Sequence, residues 1–317
     1  MSYEPSPYIN TPAPEKKIWR YLSIDKFMSM LSSNNLHIPN VSLFNDRYEG
    51  MLSDKSKEEA QKVLLVNQNK LIKQDEKFNE EIQYIASQNE QYKSMLLKNH
   101  YSFHTLYRYF SWYFMFCSCW FQRDKESYLM WSQYGDNAYP TSVAIQTTVG
   151  NLIKSLKPAQ YDIHIGKVDY IDYENNHIKG YEKITTVDLD TSDNVLKLFY
   201  APIMHKREEY RDEDEVRAII SFESICNDFF GQVYTSEIPF FSHHIQPMGG
   251  GFSYLHENDV PDTFRCVPNV FEIDIDLETL IQKVVISPNA KNFFEVPLKE
   301  LLEKYNINPD KVVKSKI

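Results

Sequence analysis

The sequence predicts an α+β fold: a mixed central sheet carrying a helical insertion. Three observations point to it. Short apolar runs of strand length mix with helix-like periodic segments, without the strict strand–helix–strand rhythm of a doubly wound sheet. From Met51 to Tyr134 there is neither glycine nor proline, and residues 54–109 are rich in Lys, Glu, Gln and Leu, which are good helix formers. The chain has 317 residues, enough for a large core. Residues 1–15, polar and proline-rich, read as a flexible arm, and residues 16–317 as one domain with the insertion at about 54–109.

The elements follow in order. Ile18-Trp19-Arg20-Tyr21 reads as a short strand. Ser23 then caps a helix whose buried stripe is Phe27, Met30 and Leu31. Asn34-Asn35 ends that helix, and Leu36-His37-Ile38 returns as a strand. Leu43 to Gly50 is a polar-aromatic loop. After the insertion, Met115 to Phe121 is an apolar strand, Ser127 to Tyr134 a short helix ended by Gly135, and Val143 to Ile145 a strand. Lys167 to Tyr173 alternates like a strand, and Asp193 to Phe199 begins a helix that runs on to Lys206. Arg217 to Phe222 is a strand, and 228–268 a long loop. Phe271 to Ile275 and Lys283 to Ser287 are strands flanking a helix at Leu277 to Gln282. Val296 to Tyr305 is a last helix, and Val312-Val313 a last strand.

Composition narrows the class. With 42% hydrophobic and 25% charged residues the chain is an ordinary soluble protein. Its net charge of −10 gives no whole-chain basic footprint for nucleic acid. No apolar run is long enough to span a membrane, and the polar start lacks the pattern of a signal peptide. The expected location is therefore the cytoplasm. Cys117 and Cys119 fall on one strand face, with no second pair to complete a zinc site, so buried free thiols are expected. His243-His244 reads as part of a surface loop. Walker, Rossmann and nucleophile-elbow motifs are absent.

The stretch Glu213-Asp214-Glu215-Val216-Arg217-Ala218-Ile219-Ile220 carries the most chemistry. As a strand it places Glu213, Glu215 and Arg217 on one face and Val216, Ala218 and Ile220 on the other. Two carboxylates and a guanidinium in a row can orient a hydroxyl, hold a metal or do acid–base work.

Five segments in order resemble a bacterial family of unknown function, domain of unknown function 2971. They are Trp19-Arg20-Tyr21, Phe44-Asn45-Asp46-Arg47-Tyr48-Glu49, Phe116-Cys117-Ser118 with Met130-Trp131-Ser132-Gln133-Tyr134, Glu213 to Arg217, and Val285 to Ala290. Arg47 stands where the family pattern has proline, and Tyr48 where it has phenylalanine. The order of Arg20, Ser118 with Tyr128, and Glu213 and Glu215 is also similar to that of ADP-ribosyltransferases. That second resemblance implies NAD as substrate, with a macromolecular acceptor, protein or nucleic acid, and the setting of a toxin or phage-defence effector. It implies Arg20 as a pyrophosphate grip, Glu215 and Glu213 as catalytic carboxylates, and no metal. The nucleotide would be held by Arg20, Tyr21, Asn45, Asp46, Ser118, Tyr128, Trp131, Tyr134 and Arg217.

Two other readings stay open. A metal-dependent nuclease or hydrolase would join Glu213 and Glu215 to Asp169 or Asp172, with Asp46 and Glu49. A non-enzymatic binding module would use Arg20 only as a paired core charge, with Trp131 and Tyr134 as core. The enzyme reading expects Arg20 and Glu215 to face a common pocket walled by the Phe44–Glu49 loop.

Overall fold

The computed structural model describes residues 3–59, 62, 115–135, 141–158, 161–182, 200–221, 224–225 and 268–317. The architecture is α+β, built on a mixed seven-stranded sheet. Its strands, in spatial order, are β11 (Val312–Lys314), β10 (Lys283–Ile286), β4 (Val143–Thr148), β1 (Lys17–Leu22), β3 (Cys117–Gln122), β8 (Glu215–Ile220) and β5 (Ile163–Lys167). Within it, β10 and β11 run parallel and the other pairings are antiparallel. Two small ribbons accompany it, β2 (Asn35–Pro39) with β9 (Val270–Asp274), and β6 (Asp169–Ile171) with β7 (His205–Arg207).

Strand alternation divides the core between the two faces of the sheet. Ile18 and Leu22 of β1, Trp120 of β3, Val143 and Ile145 of β4 and Val216 of β8 belong to the larger core cluster. Helix α1 (Ile24–Ser33) and the β2–β9 ribbon contribute to that same cluster through Phe27, Leu31, Leu36, Ile38 and Phe271. Trp19, Tyr21, Phe121 and Ala144, on the opposite side, form a smaller cluster with Met130 and Trp131 of α2 (Tyr128–Tyr134). Helix α2 ends at Gly135, where an added Cβ would sit 2.4 Å from the Trp131 carbonyl oxygen. Only glycine allows the chain to pass that close to the last turn. The remaining helices are α3 (Val149–Ser155), α4 (Leu277–Leu280) and α5 (Glu295–Lys304). Among the described residues no helix is long and apolar enough to cross a membrane.

Several sequence expectations are corrected. The strand expected over Lys167–Tyr173 is two strands, β5 and β6, broken at Val168, whose N–H goes to the Glu215 carbonyl (2.9 Å). Lys206, expected at a helix end, lies in β7. Glu213 is not on the strand: it ends a 3-10 turn over Glu208–Glu213, and Asp214, at φ 46°, breaks the extended path before Glu215. The segment expected as a flexible arm runs, from Tyr3, as a strap along β5. It is held by Glu4 N–H to the Ile163 carbonyl (3.0 Å), Lys167 N–H to the Asn10 carbonyl (2.9 Å) and Thr11 Oγ1 to the Ile165 carbonyl (2.7 Å). Most of the expected insertion, the helix start at Asp193, the 228–268 loop with His243-His244 up to its last residue, and Cys226 and Cys266 lie outside the described residues.

Candidate functional site

A buried ionic cluster sits where the head of β8 meets β7 and the Phe44–Glu49 loop. Lys206 Nζ lies 2.6 Å from Glu213 Oε2, 3.2 Å from Glu215 Oε2 and 3.2 Å from Glu49 Oε1. The Arg217 guanidinium, fully buried, donates from Nε to Glu215 Oε1 (2.8 Å), from Nη2 to Glu49 Oε2 (2.7 Å) and from Nη1 to the Ile203 carbonyl (2.5 Å). The Tyr134 hydroxyl donates to Glu213 Oε1 (3.0 Å), and the Tyr170 hydroxyl accepts from Glu215 N–H (2.9 Å).

Local sequence explains the convergence. Asp46 and Glu49 leave the same turn, closed by Glu49 N–H to the Asp46 carbonyl (3.1 Å). Lys206 and Arg207 are successive strand residues, so they point to opposite sides. The turn therefore serves both: Glu49 reaches Lys206, and Asp46 takes Arg207 through two bonds of 3.1 Å. Arg207 is also flanked by the rings of Tyr48 (4.7 Å) and Tyr210 (5.2 Å). That is a physical reason for an acid at each end of the Asp46–Glu49 motif.

Three carboxylates meet two cations here, which leaves one negative charge in excess. Glu215 and Glu49 each touch both Lys206 and Arg217, whereas Glu213 touches Lys206 alone. The titrations follow that difference. Burial pushes Glu215 up, but Arg217 and Lys206 outweigh it and hold the carboxyl at about 2. Burial also pushes Glu213 up, and there it prevails over Lys206, so its carboxyl stays above the usual range. Lys206 is raised: burial opposes its charge, and Glu215 and Glu49 override it. Burial raises the Tyr134 hydroxyl as well, with Glu213 adding to the effect.

Other expected site residues lie elsewhere. Glu215 pairs across the sheet with Phe121, and Phe121 with Trp19, so these three side chains share a face. Arg20, next to Trp19, takes the opposite face, and the common pocket with Glu215 does not form. Arg20 lies over the Trp120 ring (5.6 Å) and donates from Nη2 to the His37 carbonyl (3.3 Å). No described carboxylate pairs with it, and burial lowers its pKa to about 10. Ser118, which pairs with Ala218, is on that opposite face too. Tyr21 and Trp131 are core residues, ring to ring at 4.9 Å, with the Tyr21 hydroxyl accepting from Ser127 N–H (2.9 Å). Tyr128 and Asn45 are exposed.

The carboxylates of the metal reading do gather, but around the Lys206 ammonium and the Arg217 guanidinium. Asp169 and Asp172 are not among the partners of that cluster. Among the described residues no group of three or more His, Cys, Asp or Glu is arranged to hold a metal ion. Cys117 and Cys119 are free thiols 4.0 Å apart. Sequence reasoning missed Lys206, Arg207 and Tyr170. The available signal was the Asp46–Glu49 spacing, which asks for two neighbouring cations.

Met130 to Tyr134, with Glu213 and the Glu215–Arg217 head of β8, lies within the part of the chain that a known family matches. Residues 130–218 match the family described as Protein of unknown function (DUF2971). Within the span lie Tyr134, Lys206, Glu213, Glu215 and Arg217 of the cluster, while Arg20, Asp46 and Glu49 lie before it. No curated protein and no solved structure matches the chain.

Proposed function

We propose that this DUF2971 chain is an NAD-using, ADP-ribosyltransferase-like enzyme in which Glu213, not Glu215, is the reacting carboxylate. The observation behind the reading is a difference in setting: Glu215 is sealed between Arg217 and Lys206 and held at about 2, whereas Glu213, which meets Lys206 as its one cation and the half-exposed Tyr134 hydroxyl, is pushed up. Such divergence separates an acid–base group from a permanently ionised one. Glu215, with Arg217 and Lys206, forms a fixed charged floor. Glu213 stands at its edge behind Tyr134, which is 41% exposed. In the proposed reaction nicotinamide leaves with the glycosidic electron pair. The acceptor's nucleophilic atom bonds to the ribosyl carbon, and its proton passes to Glu213. A carboxylate of raised basicity suits that step. NAD as substrate is supported by the sequence resemblance alone, and Arg20, the pyrophosphate grip in that resemblance, has no part in this version.

A second reading has its own observation. Glu215 and Arg217 are sealed, and their bonds are satisfied within the protein. On that reading the cluster is a structural device of a binding module. Incubation with NAD and cell lysate, scored for free nicotinamide, separates the two. The enzyme reading expects release by the native chain and a loss of about a hundredfold in Glu213→Gln. Absence of release by the native chain would leave the structural reading.

A further inference from the structure

Beside the cluster, on the far side of Tyr170, lies a cleft of about 350 Å3. We propose that it binds a phosphorylated ribose, with the phosphate on Lys179 and His177 and the sugar hydroxyls on Asp169. Several lining groups are already committed. Lys167 pairs with Asp214 (2.8 Å), Arg211 pairs with Glu208, and His205 Nδ1 donates to the Ala201 carbonyl (2.5 Å). Three others line the cleft with no hydrogen bond or ion pair from their side chains to any described residue: Lys179, His177 and Asp169. They comprise a cation, a ring donor and a carboxylate acceptor. A phosphate takes the first two, and a diol donates to the third.

The segment that carries Lys179 is anchored from Ile178 to Tyr181, and His177 directly precedes it. Ile178 is buried and its N–H reaches Ser56 Oγ (2.7 Å). Lys179 N–H reaches His205 Nε2 (3.3 Å), Gly180 N–H reaches Glu182 Oε2 (2.7 Å), and Tyr181 N–H reaches the Ile178 carbonyl (2.8 Å). Ile178 and Tyr181 point into the core, which turns Lys179 outward to the cleft. His205 donates from Nδ1 to the Ala201 carbonyl, which leaves Nε2 as the acceptor for that Lys179 amide, and burial lowers its pKa. A rigid backbone presenting uncommitted polar groups into a concavity is a preorganised site. The volume falls in the range of small-ligand pockets, and the polar lining suits a sugar phosphate better than an apolar ring.

The proposal is independent of Glu213 chemistry. The phosphorylated ribose can be a free sugar phosphate or part of a dinucleotide, and calorimetric titration of the full chain with ribose 5-phosphate and with ADP-ribose distinguishes the sources. Saturable binding of either supports the site. Lys179→Ala is expected to weaken the bound probe about tenfold or more. Asp169→Asn is expected to weaken it similarly while leaving inorganic phosphate binding unchanged. Both side chains are exposed, so neither variant threatens the fold. Saturable binding by the native chain is expected even if nicotinamide release is never observed. Absence of saturable binding by both probes at millimolar concentration, or binding unchanged in the Lys179→Ala, Asp169→Asn double variant, overturns the proposal.

Discussion

Glu213 and Glu215 are two residues apart yet depend on pH in opposite senses. The folded pKa of Glu215 is depressed to about 2, so its stabilisation is full above the unfolded value and is lost as pH falls toward 2. The folded pKa of Glu213 is raised, so its favourable contribution is present below the unfolded value and is lost as pH rises through the folded one. Glu213→Gln removes the excess charge and keeps a hydrogen-bonding partner for Tyr134. Its urea-unfolding stability relative to the native protein should therefore improve from pH 4 to pH 7. Glu215→Gln breaks the buried ion pairs that Glu215 makes with both Arg217 and Lys206 and should cost about 3–5 kcal/mol at pH 7. If the two variants lose equal stability at pH 7, the division of roles between these carboxylates is wrong.

Asp214 does at the level of the element what neither glutamate does alone. Its left-handed conformation ends the 3-10 turn and starts β8, so that Glu213 and Glu215 approach Lys206 from different elements. Asn tolerates that conformation, and a β-branched residue does not. Asp214→Val should be less stable than Asp214→Asn by about 1–2 kcal/mol, since both lose the Lys167 ion pair and only one is strained. Thermal unfolding of the pair measures the difference. At the end of α2, Gly135→Ala must displace the Trp131 carbonyl, and a loss of about 1–3 kcal/mol is expected. Trp131 packs on Tyr21, so the near-ultraviolet circular dichroism of that aromatic cluster should change with it.

At the scale of the whole molecule, β5 is an edge strand of the seven-stranded sheet, and the N-terminal strap lies along it. Ile9 packs over Gly166, where an added Cβ would fall 2.0 Å from Ile9 Cγ2. Gly166→Ala should therefore lift the strap. Limited proteolysis should cut residues 3–12 faster than in the native chain, and stability should fall by about 1–3 kcal/mol. An unchanged cleavage rate would mean that the strap does not depend on that contact. The strap also brings the Glu4 carbonyl to His164 Nδ1 (2.7 Å), which ties residues far apart in sequence to one sheet edge.

Most of the sheet was legible in the residues themselves. The periodic apolar runs of β1, β3, β4, β8, β9 and β10 match strands because burial rewards alternation locally. Helix α1 follows from Phe27, Met30 and Leu31, and the end of α2 from Gly135. The acidic pair Glu213 and Glu215 and the Asp46–Glu49 turn were also visible as chemistry. Partnership was not. Whether Glu215 meets Arg20 or Lys206 depends on which sheet face each residue occupies, and register between distant strands sets that face. The β6–β7 ribbon and the polar N-terminal strap form only because other elements pair with them or cover them. A charged run such as His205-Lys206-Arg207 carries no local sign of burial. Only the tertiary structure, by surrounding Lys206 with three carboxylates, decided that it belongs inside.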